Sequence, residues 1–387
     1  MNSPLNGIRV VEQGTFITGP CAGMMLADLG ADVIKVESPD GDPYRNYQGD
    51  HYSPHFQAYN RNKRSVALDL KKPEERVLFD SLVREADVFI QNFRPGTAAR
   101  LGAGSDRLQA INPRLIYTSI SGFGASGPYA ERPSYDSVAQ ALSGFLSVVV
   151  DSSRPRFLGP ALADAITGIY AAYGVLGALV QRGRSGQGTL VEVSMLEAMA
   201  HFAIEPFAAF FALGATPTSS DRPRLAQAYI LHTADQRLIA IHLSSLDKFW
   251  DGLVAALEAP ELASDPRFRL RQARIDNYDS LNAELDQRFS RRDLAHWIER
   301  LGRHDVPYAP INTIDEVVHD PQVEHLGLIV PVAAAHGAGR SVRPPVQFGG
   351  VRESSVHAAP LLNEHGDSIR AAIAGGGQWP ARRSEKD

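Results

Sequence analysis

The first half of the chain alternates short apolar runs with longer amphipathic segments. Runs rich in Val, Ile and Leu predict strands at residues 8–11, 31–37, 66–70, 87–91 and 115–119. Helical spacing predicts a helix that ends near Leu29 and further helices at residues 73–86 and 97–111. Strands that alternate with helices are typical of a parallel sheet covered by helices on both faces. We therefore predict a large α/β domain over residues 1–205.

The longest apolar helix is predicted from about residue 160 to residue 182, before a strand in the sequence TLVEVSM. Its first turn holds one carboxylate, Asp164, and the small residues Gly168, Ala171 and Ala172 follow on or near the same face. Aspartate at a helix start is commonly a simple cap. The second interpretation is a nucleophile, which must be reachable and ionised. Because helix N–H groups favour the charged form, we expect Asp164 to remain a carboxylate at pH 7.

The character of the sequence changes after residue 205. Pro and Ser are frequent before residue 225, and residues 206–224 are predicted to be a linker. A smaller α+β domain is predicted over residues 225–325, with a hairpin at 229–243 and helices near 245–257, 276–289 and 292–303. A second linker is predicted at 326–350, and residues 351–387 are predicted to return to the large domain.

Composition excludes several classes of protein. The 387 residues are 44% hydrophobic, which is enough for two cores, and the net charge of −5 is spread without runs. We therefore expect no nucleic-acid partner. The single cysteine, Cys21, excludes an internal disulfide framework. The first residues lack the apolar core of a signal peptide, and the apolar run 169–180 is too short to span a bilayer. These features predict a soluble, cytoplasmic protein with no membrane partner.

Two short motifs suggest chemistry that their surroundings do not support. Residues 122–127 read GFGASG and match the GxGxxG of dinucleotide sites, but Pro128 and Pro133 follow where a helix is needed. A nicotinamide oxidoreductase is therefore a weak alternative. His51 and His55 are four residues apart with Pro54 between them, so we expect no metal site there.

Several stretches, taken in order, resemble the class III coenzyme A transferases. This is the family of formyl-CoA:oxalate and carnitine CoA-transferases, which also contains α-methylacyl-CoA racemases. The stretches are LNGIRVVE (5–12), GPCAGMMLADLGADVIKVESPDGD (19–42), NRNKRSVALDLK (60–71), ADVFIQNFRPG (86–96), GFGASGPYAERPSYD (122–136), the long apolar helix with the strand after it (157–199), FWDGLVAAL (249–257), SDPRF (264–268) and HDVPYAPINTIDEV (304–317). The resemblance implies a Rossmann-like large domain, a smaller α+β domain and a homodimer whose two chains interlock as threaded rings.

The resemblance also implies a reaction. Asp164 lies in GPALADAITG, which matches the family's GxxxxDxxxG motif around a catalytic aspartate. In the family this carboxylate attacks an acyl-CoA thioester to give a mixed anhydride, and CoA thiolate then forms an aspartyl-CoA thioester. The acceptor carboxylate repeats these steps in reverse. Holding the carboxylate beside the thioester supplies the effective concentration that a weak nucleophile needs. No metal or redox cofactor is implied, and CoA itself is a substrate.

The resemblance further implies a set of CoA-binding residues, namely Ile17, Thr18, Leu68, Lys71, Asn92, Phe93, Arg94, Arg100 and Tyr135. Lys71, Arg94 and Arg100 carry the charge that phosphates need in an otherwise acidic chain. Oxalate-specific members have Gln where Ile17 stands, and they carry a lysine near the tyrosine that this chain lacks. These departures leave the substrate acids open, and they make Arg132 and Lys63 candidates for relocated phosphate contacts.

Three functions stay open. The leading hypothesis is an acyl-CoA:carboxylate CoA-transferase that acts through Asp164. The second is an α-methylacyl-CoA racemase or epimerase, but racemases of the family carry His where Tyr135 stands, and tyrosine is a poor base at neutral pH. The third is a catalytically silent CoA-binding protein, and the retention of Asp164 in its motif counts against it.

Overall fold

The computed structural model describes residues 3–49, 51–157, 159–244, 247–333, 339–351, 356–375 and 378–380. Parts of the predicted segments 326–350 and 351–387, and the first two residues of the helix predicted at 245–257, lie outside them. The strands are β1 (Arg9–Gln13), β2 (Asp32–Glu37), β3 (Arg64–Ala67), β4 (Val88–Gln91), β5 (Ile116–Ser121), β6 (Thr189–Ser194), β7 (Ala228–His232), β8 (Leu238–His242), β9 (Tyr308–Pro310), β10 (Ile329–Ala333), β11 (Arg340–Val342) and β12 (Val356–His357).

Helices separate most of these strands, as the sequence pattern predicts. They are α1 (Thr18–Asp28), α2 (Pro54–Asn60), α3 (Pro73–Glu85), α4 (Thr97–Arg100), α5 (Ser105–Ile111), α6 (Asp136–Leu142), α7 (Leu162–Ser185), α8 (Met195–Phe202), α9 (Ile204–Leu213), α10 (Asp221–Ala226), α11 (Asp247–Leu257), α12 (Pro260–Ser264), α13 (Arg271–Asp276), α14 (Tyr278–Phe289), α15 (Leu294–Arg303), α16 (Ile314–Val317), α17 (Pro321–Leu326) and α18 (Gly366–Ala374). Short 3₁₀ turns cover Pro43–Asn46 and Phe145–Val148.

The first six strands form one parallel sheet in the order β3-β2-β1-β4-β5-β6. The prediction of a parallel α/β sheet is confirmed. In this order β2 and β3 are added on one side of β1, and β4 to β6 are added on its other side. Ligands of open α/β sheets bind where the strand order reverses in this way, beyond the carboxyl ends of the strands. The loops after β1 and β4 are therefore the first place to look for a site.

Alternate residues of the central strands fill two separate cores. Val10, Val33 and Ile90 face one side of the sheet, where they join a cluster with α1 and α7. Val11 and Ile34 face the other side and pack with residues of α3, α5 and α18. Because both faces are covered, the strands are almost continuously apolar. A charged residue inside such a strand is therefore unexpected.

Two predicted helices are each interrupted in the structure. The helix expected at 97–111 is divided into α4 and α5, since Gly102 adopts a positive φ of 75° that ends the first turn. The helix expected at 276–289 is preceded by α13, and α14 begins at Tyr278. The hairpin predicted at 229–243 is confirmed as the antiparallel pair β7 and β8.

The chain divides into two compact units. One contains residues 1–146, 157–205 and 322–387, and the other contains residues 147–156 and 206–321. The second unit has the antiparallel sheet β7-β8-β9 and a core that includes Trp250, Phe268, Phe289 and Trp297. The predicted linker 206–224 contains most of α9 and the beginning of α10, and the predicted linker 326–350 contains β10 and β11.

Within the described ranges, α7 is long and apolar enough to cross a bilayer by length and composition, and so are α8 and α9 together if their bend of 66° is disregarded. In the structure α7 packs against α1 and the sheet through Ala171, Ala172 and Val175. Core helices of soluble proteins have the same composition. The expected absence of a membrane partner stays a prediction.

Candidate active site

A cavity of about 410 Å³ opens at the carboxyl ends of β1 to β4. Its size is in the range of small-molecule sites. It is lined by Gln13, Gly14, Thr15, Val36, Glu37, Ser38, Pro39, Asp40, Gly41, Asp42, Pro43, Leu68, Asp69, Leu70, Lys71, Phe93 and Leu101. Three of the predicted CoA-binding residues, Leu68, Lys71 and Phe93, are thus brought together.

The lining combines apolar walls with a few polar groups. Val36, Leu68 and Leu70 are buried side chains, and Phe93 adds an aromatic face. Gln13 is 8% exposed, and its Oε1 atom is buried without a hydrogen-bond partner in the described part of the chain. Apolar walls with an unused acceptor suit a flat heterocycle that carries a donor group.

The loop of residues 14–17 separates this cavity from α1 and is fixed by Asn92. The Asn92 Oδ1 atom accepts from the Thr15 amide at 2.9 Å, and its Nδ2 atom donates to the Thr15 carbonyl and the Thr18 hydroxyl, both at 2.8 Å. Ile17 and Thr18 are each 6% exposed. A ligand at this loop would therefore meet the backbone at the start of α1 more readily than these two side chains.

The predicted cations occupy different surroundings. Lys71 is exposed at the cavity. Arg94 and Arg100 are exposed after β4 but do not line the cavity, and Arg100 donates to the Thr97 hydroxyl at 2.8 Å. Lys63 as a phosphate contact is wrong, because its side chain is buried beneath the loop with Glu12.

Arg132, the other candidate for a relocated phosphate contact, lies on aromatic rings. Its guanidinium is 4.5 Å from the ring centre of Tyr129 and 5.7 Å from that of Phe123. These contacts are typical of cation–π pairs and leave the outer edge of the guanidinium available.

Asp164 lies in the first turn of α7 and is half-buried. The cap interpretation is wrong, because Asp136 at the start of α6 takes that role. The Asp136 Oδ1 atom accepts from the amides of Ala163 at 2.7 Å and of Asp164 at 3.3 Å. Among the residues that the structure describes, no ion pair involves the carboxylate of Asp164.

The expectation that Asp164 keeps an ordinary low pKa is also wrong. Burial, followed by the negative charge of Asp136, raises the pKa of Asp164 to about 7. Free N–H groups at the start of a helix would stabilise the charge of Asp164. In the structure the nearest of them already donate to Asp136, and this second carboxylate adds repulsion instead.

Small residues bring α1 against α7 beside this carboxylate. A Cβ atom at Gly168 would lie 2.6 Å from the Cβ atom of Cys21 and 3.0 Å from the carbonyl oxygen of Thr18. The absence of a side chain at Gly168 therefore lets the backbone of α1 approach α7 closely. Phe16 of the loop also meets the ring of Tyr135 edge-on, with ring centres 6.2 Å apart.

Tyr135 contacts Phe16 of the loop and is followed by Asp136, which accepts from the Asp164 amide. It is 61% exposed and directly precedes Asp136. The loop of residues 14–17, the Tyr135–Asp136 pair and Asp164 thus lie together, while Arg94 and Arg100 stand apart from the cavity lining.

Sequence reasoning missed two features of the site. Asp136 lies beside Tyr135 in the motif, and only the fold shows that its carboxylate meets the start of α7. Glu12 and Lys35 are 0% exposed although they lie in strands that are otherwise largely apolar. A charged residue inside an apolar strand is the sequence signal that could have predicted this buried ion pair. In the described part of the chain, no group of three or more His, Cys, Asp or Glu side chains could hold a metal ion.

The doubly wound sheet with a cavity at its switch point is the arrangement in which open α/β sheets bind ligands. A sequence model described as CoA-transferase family III matches residues 5–366. The chain belongs to this family and is an enzyme of this class.

Named relatives extend over almost the full chain. It is 33% identical over 380 residues to the acetyl-CoA:oxalate CoA-transferase of Acetobacter aceti and 35% identical over 387 residues to the succinate–glutarate CoA-transferase of Agrobacterium fabrum, with 96% of each chain covered in both cases. A crystal structure of a CAIB/BAIF family protein from Brucella suis matches with a TM-score of 0.86 and 35% identity, over 96% of this chain and 100% of that one.

Proposed function

We propose that the protein moves CoA from an acyl-CoA thioester to a carboxylic acid by covalent chemistry on Asp164. The observation that carries this proposal is the half-buried carboxylate at the start of α7, which has no ion-pair partner in the described part of the chain and lies beside the loop that borders the cavity. A carboxylate that is not held by cations is available to attack a carbonyl carbon.

The proposed cycle has four steps. A carboxylate oxygen of Asp164 attacks the thioester carbonyl carbon, so a C–O bond forms, the C–S bond breaks and thiolate leaves with the electron pair. The thiolate attacks the aspartyl carbonyl of the mixed anhydride and expels the donor acid as a carboxylate. The acceptor carboxylate attacks the aspartyl-CoA thioester, again releasing thiolate. Finally the thiolate attacks the acceptor's carbonyl, which yields the new acyl-CoA and restores Asp164.

The cavity is proposed to hold the nucleotide end of CoA. Leu68 and Phe93 offer apolar faces to the adenine ring, and Lys71 offers positive charge to a phosphate. Arg94 and Arg100 are proposed to meet phosphates outside the cavity. The loop at Ile17, Thr18 and Asn92, together with Tyr135, is proposed to guide pantetheine towards Asp164. No cofactor besides CoA is proposed.

The acids are proposed to be small dicarboxylates. The two named relatives act on oxalate and on succinate and glutarate according to their names. A screen that combines acetyl-CoA and succinyl-CoA as donors with these acids as acceptors is therefore the first experiment. Chromatography detects formation of the new CoA ester and so identifies the preferred pair of donor and acceptor.

Isotope transfer tests the covalent route. The cycle leaves one acceptor oxygen on Asp164, and the next donor acid removes it. With enzyme in excess over the donor ester and an acceptor that carries ¹⁸O at both carboxylate oxygens, we expect an unlabelled donor acid and one ¹⁸O atom in the peptide that contains Asp164, measured by mass spectrometry. Labelled donor acid with an unlabelled peptide in this single turnover would exclude the covalent route, because direct attack of the acceptor on the donor ester transfers the oxygen at once. CoA binding without turnover on any pair would indicate the silent CoA-binding alternative.

A racemase or epimerase is a second candidate because of one observation. The pKa of Asp164 is raised to about 7, which suits a general acid or base at neutral pH. Incubation of a 2-methylacyl-CoA in heavy water separates the two activities. We expect no deuterium at the α-carbon, since Tyr135 stands where racemases carry His. Uptake that depends on Asp164 would favour the racemase.

An interlocked homodimer is proposed as the assembly. It is supported by apolar side chains of α9 that a single chain leaves exposed, with Phe211 at 76% and Leu213 at 78%. A second copy is the proposed cover for this helix, and the cytoplasm is the proposed location. Sedimentation at nanomolar concentration should show a dimer. A folded monomer there would rule out interlocked chains.

A further inference from the structure

Four buried charges lie directly beneath the loop of residues 14–17. We call Glu12, Lys35, Asp42 and Lys63 the ion cluster. Their exposed fractions lie between 0% and 4%. Lys35 is 3.0 Å from both the Glu12 and the Asp42 carboxylates, and Lys63 is 2.6 Å from the second Glu12 oxygen. The cluster is neutral in sum, as a buried group of charges must nearly be.

The ion cluster holds the backbone of the loop. Lys35 Nζ donates to the Gly14 carbonyl at 2.7 Å, and the Gly14 amide donates to Glu12 at 3.1 Å. The Phe16 amide donates to Asp42 at 3.1 Å. Phe16 has a φ of 58°, a conformation that is strained for a residue other than glycine and persists only where its surroundings impose it.

Lys63 connects the ion cluster to the beginning of α1. Its three N–H bonds have three acceptors, namely a Glu12 oxygen at 2.6 Å, the Pro20 carbonyl at 2.8 Å and the Asn60 Oδ1 atom at 2.9 Å. Pro20 is in the first turn of α1, which contacts α7 at Gly168, one turn beyond Asp164. Lys63 thus fixes the helix turn that separates the cavity loop from the carboxylate.

We propose that Lys63 is a positioning residue, which holds the loop of residues 14–17 and the first turn of α1 in the geometry that binds the CoA ester beside Asp164. This inference rests on the proposed function. It predicts that weakening any one of the three Lys63 hydrogen bonds affects CoA-ester binding, although Lys63 itself does not line the cavity.

The proposal has a pH signature. Lys63 faces Glu12 on β1, Lys35 on β2, Asp42 in the next loop, Asn60 on α2 and Cys21 on α1. Burial, opposed by Glu12, lowers the pKa of Lys63 to about 8. A neutral amine has two N–H bonds for three acceptors, so one contact is lost. Burial raises the pKa of Cys21 to about 11, well above this range.

Stability and binding should change in opposite directions. Between about pH 8 and the ordinary pKa of lysine, the unfolded chain holds a proton on Lys63 that the folded chain has released. Folding stability from this group therefore rises with pH in that window. CoA-ester binding should weaken in the same window, because the neutral amine leaves an acceptor unpaired. A lysine that only stabilises the fold would show the first effect alone.

The experiment compares Lys63→Met with Lys248→Met, a matched change of an exposed lysine. Both are made in an Asp164→Asn background so that acetyl-CoA is not consumed. We expect Lys63→Met to raise the Kd of acetyl-CoA, measured by calorimetry at pH 7.5, by about 10-fold, as for one lost hydrogen bond to a charged group. The control should not change the Kd. From pH 7.5 to pH 9 the Kd should rise with Lys63 present and stay constant in Lys63→Met.

A second variant keeps the test decisive if Lys63→Met does not fold. Asn60→Ala removes one acceptor and keeps the charges, so it should raise the Kd several-fold with a normal circular dichroism spectrum. An unchanged Kd in a folded Lys63→Met or Asn60→Ala protein, or a Kd that is constant with pH when Lys63 is present, would overturn the inference. Absence of CoA transfer by the wild type would instead count against the proposed function and leave these binding results valid.

Discussion

Two carboxylates near the same loop have opposite surroundings. Glu12 is fully buried, where burial alone would raise its pKa, but Lys35 and Lys63 together lower it. Asp164 is half-buried, and burial and Asp136 raise its pKa to about 7. A paired carboxylate holds a structure together, while a carboxylate near a like charge is kept reactive. The difference separates the support of this site from its chemistry.

The largest expected effect follows from substitution of Asp164, the reactive carboxylate. Asp164→Asn removes the nucleophile in a nearly isosteric way, so we expect kcat for transfer to fall at least about 10⁴-fold. Asp164→Glu moves the carboxylate by one methylene and should still lose about 10²-fold. Steady-state assays with the preferred donor and acceptor measure both.

The control for Asp164→Asn is to show that the variant still folds and still binds the CoA ester. Because the pKa of Asp164 is raised on folding, its charge costs stability as pH rises towards 7. Asp164→Asn should therefore match the wild type in urea at about pH 4 and exceed it above pH 7. Near-normal turnover in Asp164→Asn would show that another residue carries the reaction.

The next largest effect follows from substitution of Glu12, the paired carboxylate that supports the loop. Glu12→Gln leaves two buried lysines without their shared counter-charge, so we expect the free energy of unfolding to fall by about 3–5 kcal/mol. Urea unfolding measures this, with the exposed Glu74→Gln as the matched control. Since the pKa of Glu12 is lowered on folding, the difference from wild type should shrink as pH falls through that pKa. If the free energy of unfolding fell by less than 1 kcal/mol, the supporting role of Glu12 would be contradicted.

The sequence predicted the fold better than it predicted the electrostatics. Apolar periodicity located the sheet strands because both faces of the sheet are covered, and the motif around Asp164 located the start of α7. The cap at Asp136 and the burial of Lys63 depend on contacts between residues 27 and 51 positions apart, respectively, which no local pattern specifies. The raised pKa of Asp164 follows first from burial and then from the charge of Asp136, and both depend on the tertiary fold. It was missed for that reason.

A smaller effect tests whether Asp136 tunes Asp164. Asp136→Asn keeps an oxygen acceptor for the Ala163 amide and removes the charge, so the pKa of Asp164 should fall. The acid limb of kcat/KM should then move to lower pH, measured between pH 5 and pH 8.5. Asp251→Asn on the exposed side of α11 is the control. An unmoved limb with normal kcat would mean that Asp136 only caps α7.

The smallest expected effect concerns the cations at the nucleotide end. Lys71 lines the cavity and Arg100 does not, so Lys71→Ala should raise the KM for the CoA ester more than Arg100→Ala does. The expected increase for Lys71→Ala is only about 2- to 5-fold, because exposed charge pairs contribute little. The kcat should stay unchanged in both, since neither residue is near Asp164 in the proposed cycle. Added salt should raise the wild-type KM and reduce the difference between wild type and variant. An unchanged KM would remove the substituted residue from the site, and a larger effect of Arg100→Ala would place the phosphates outside the cavity.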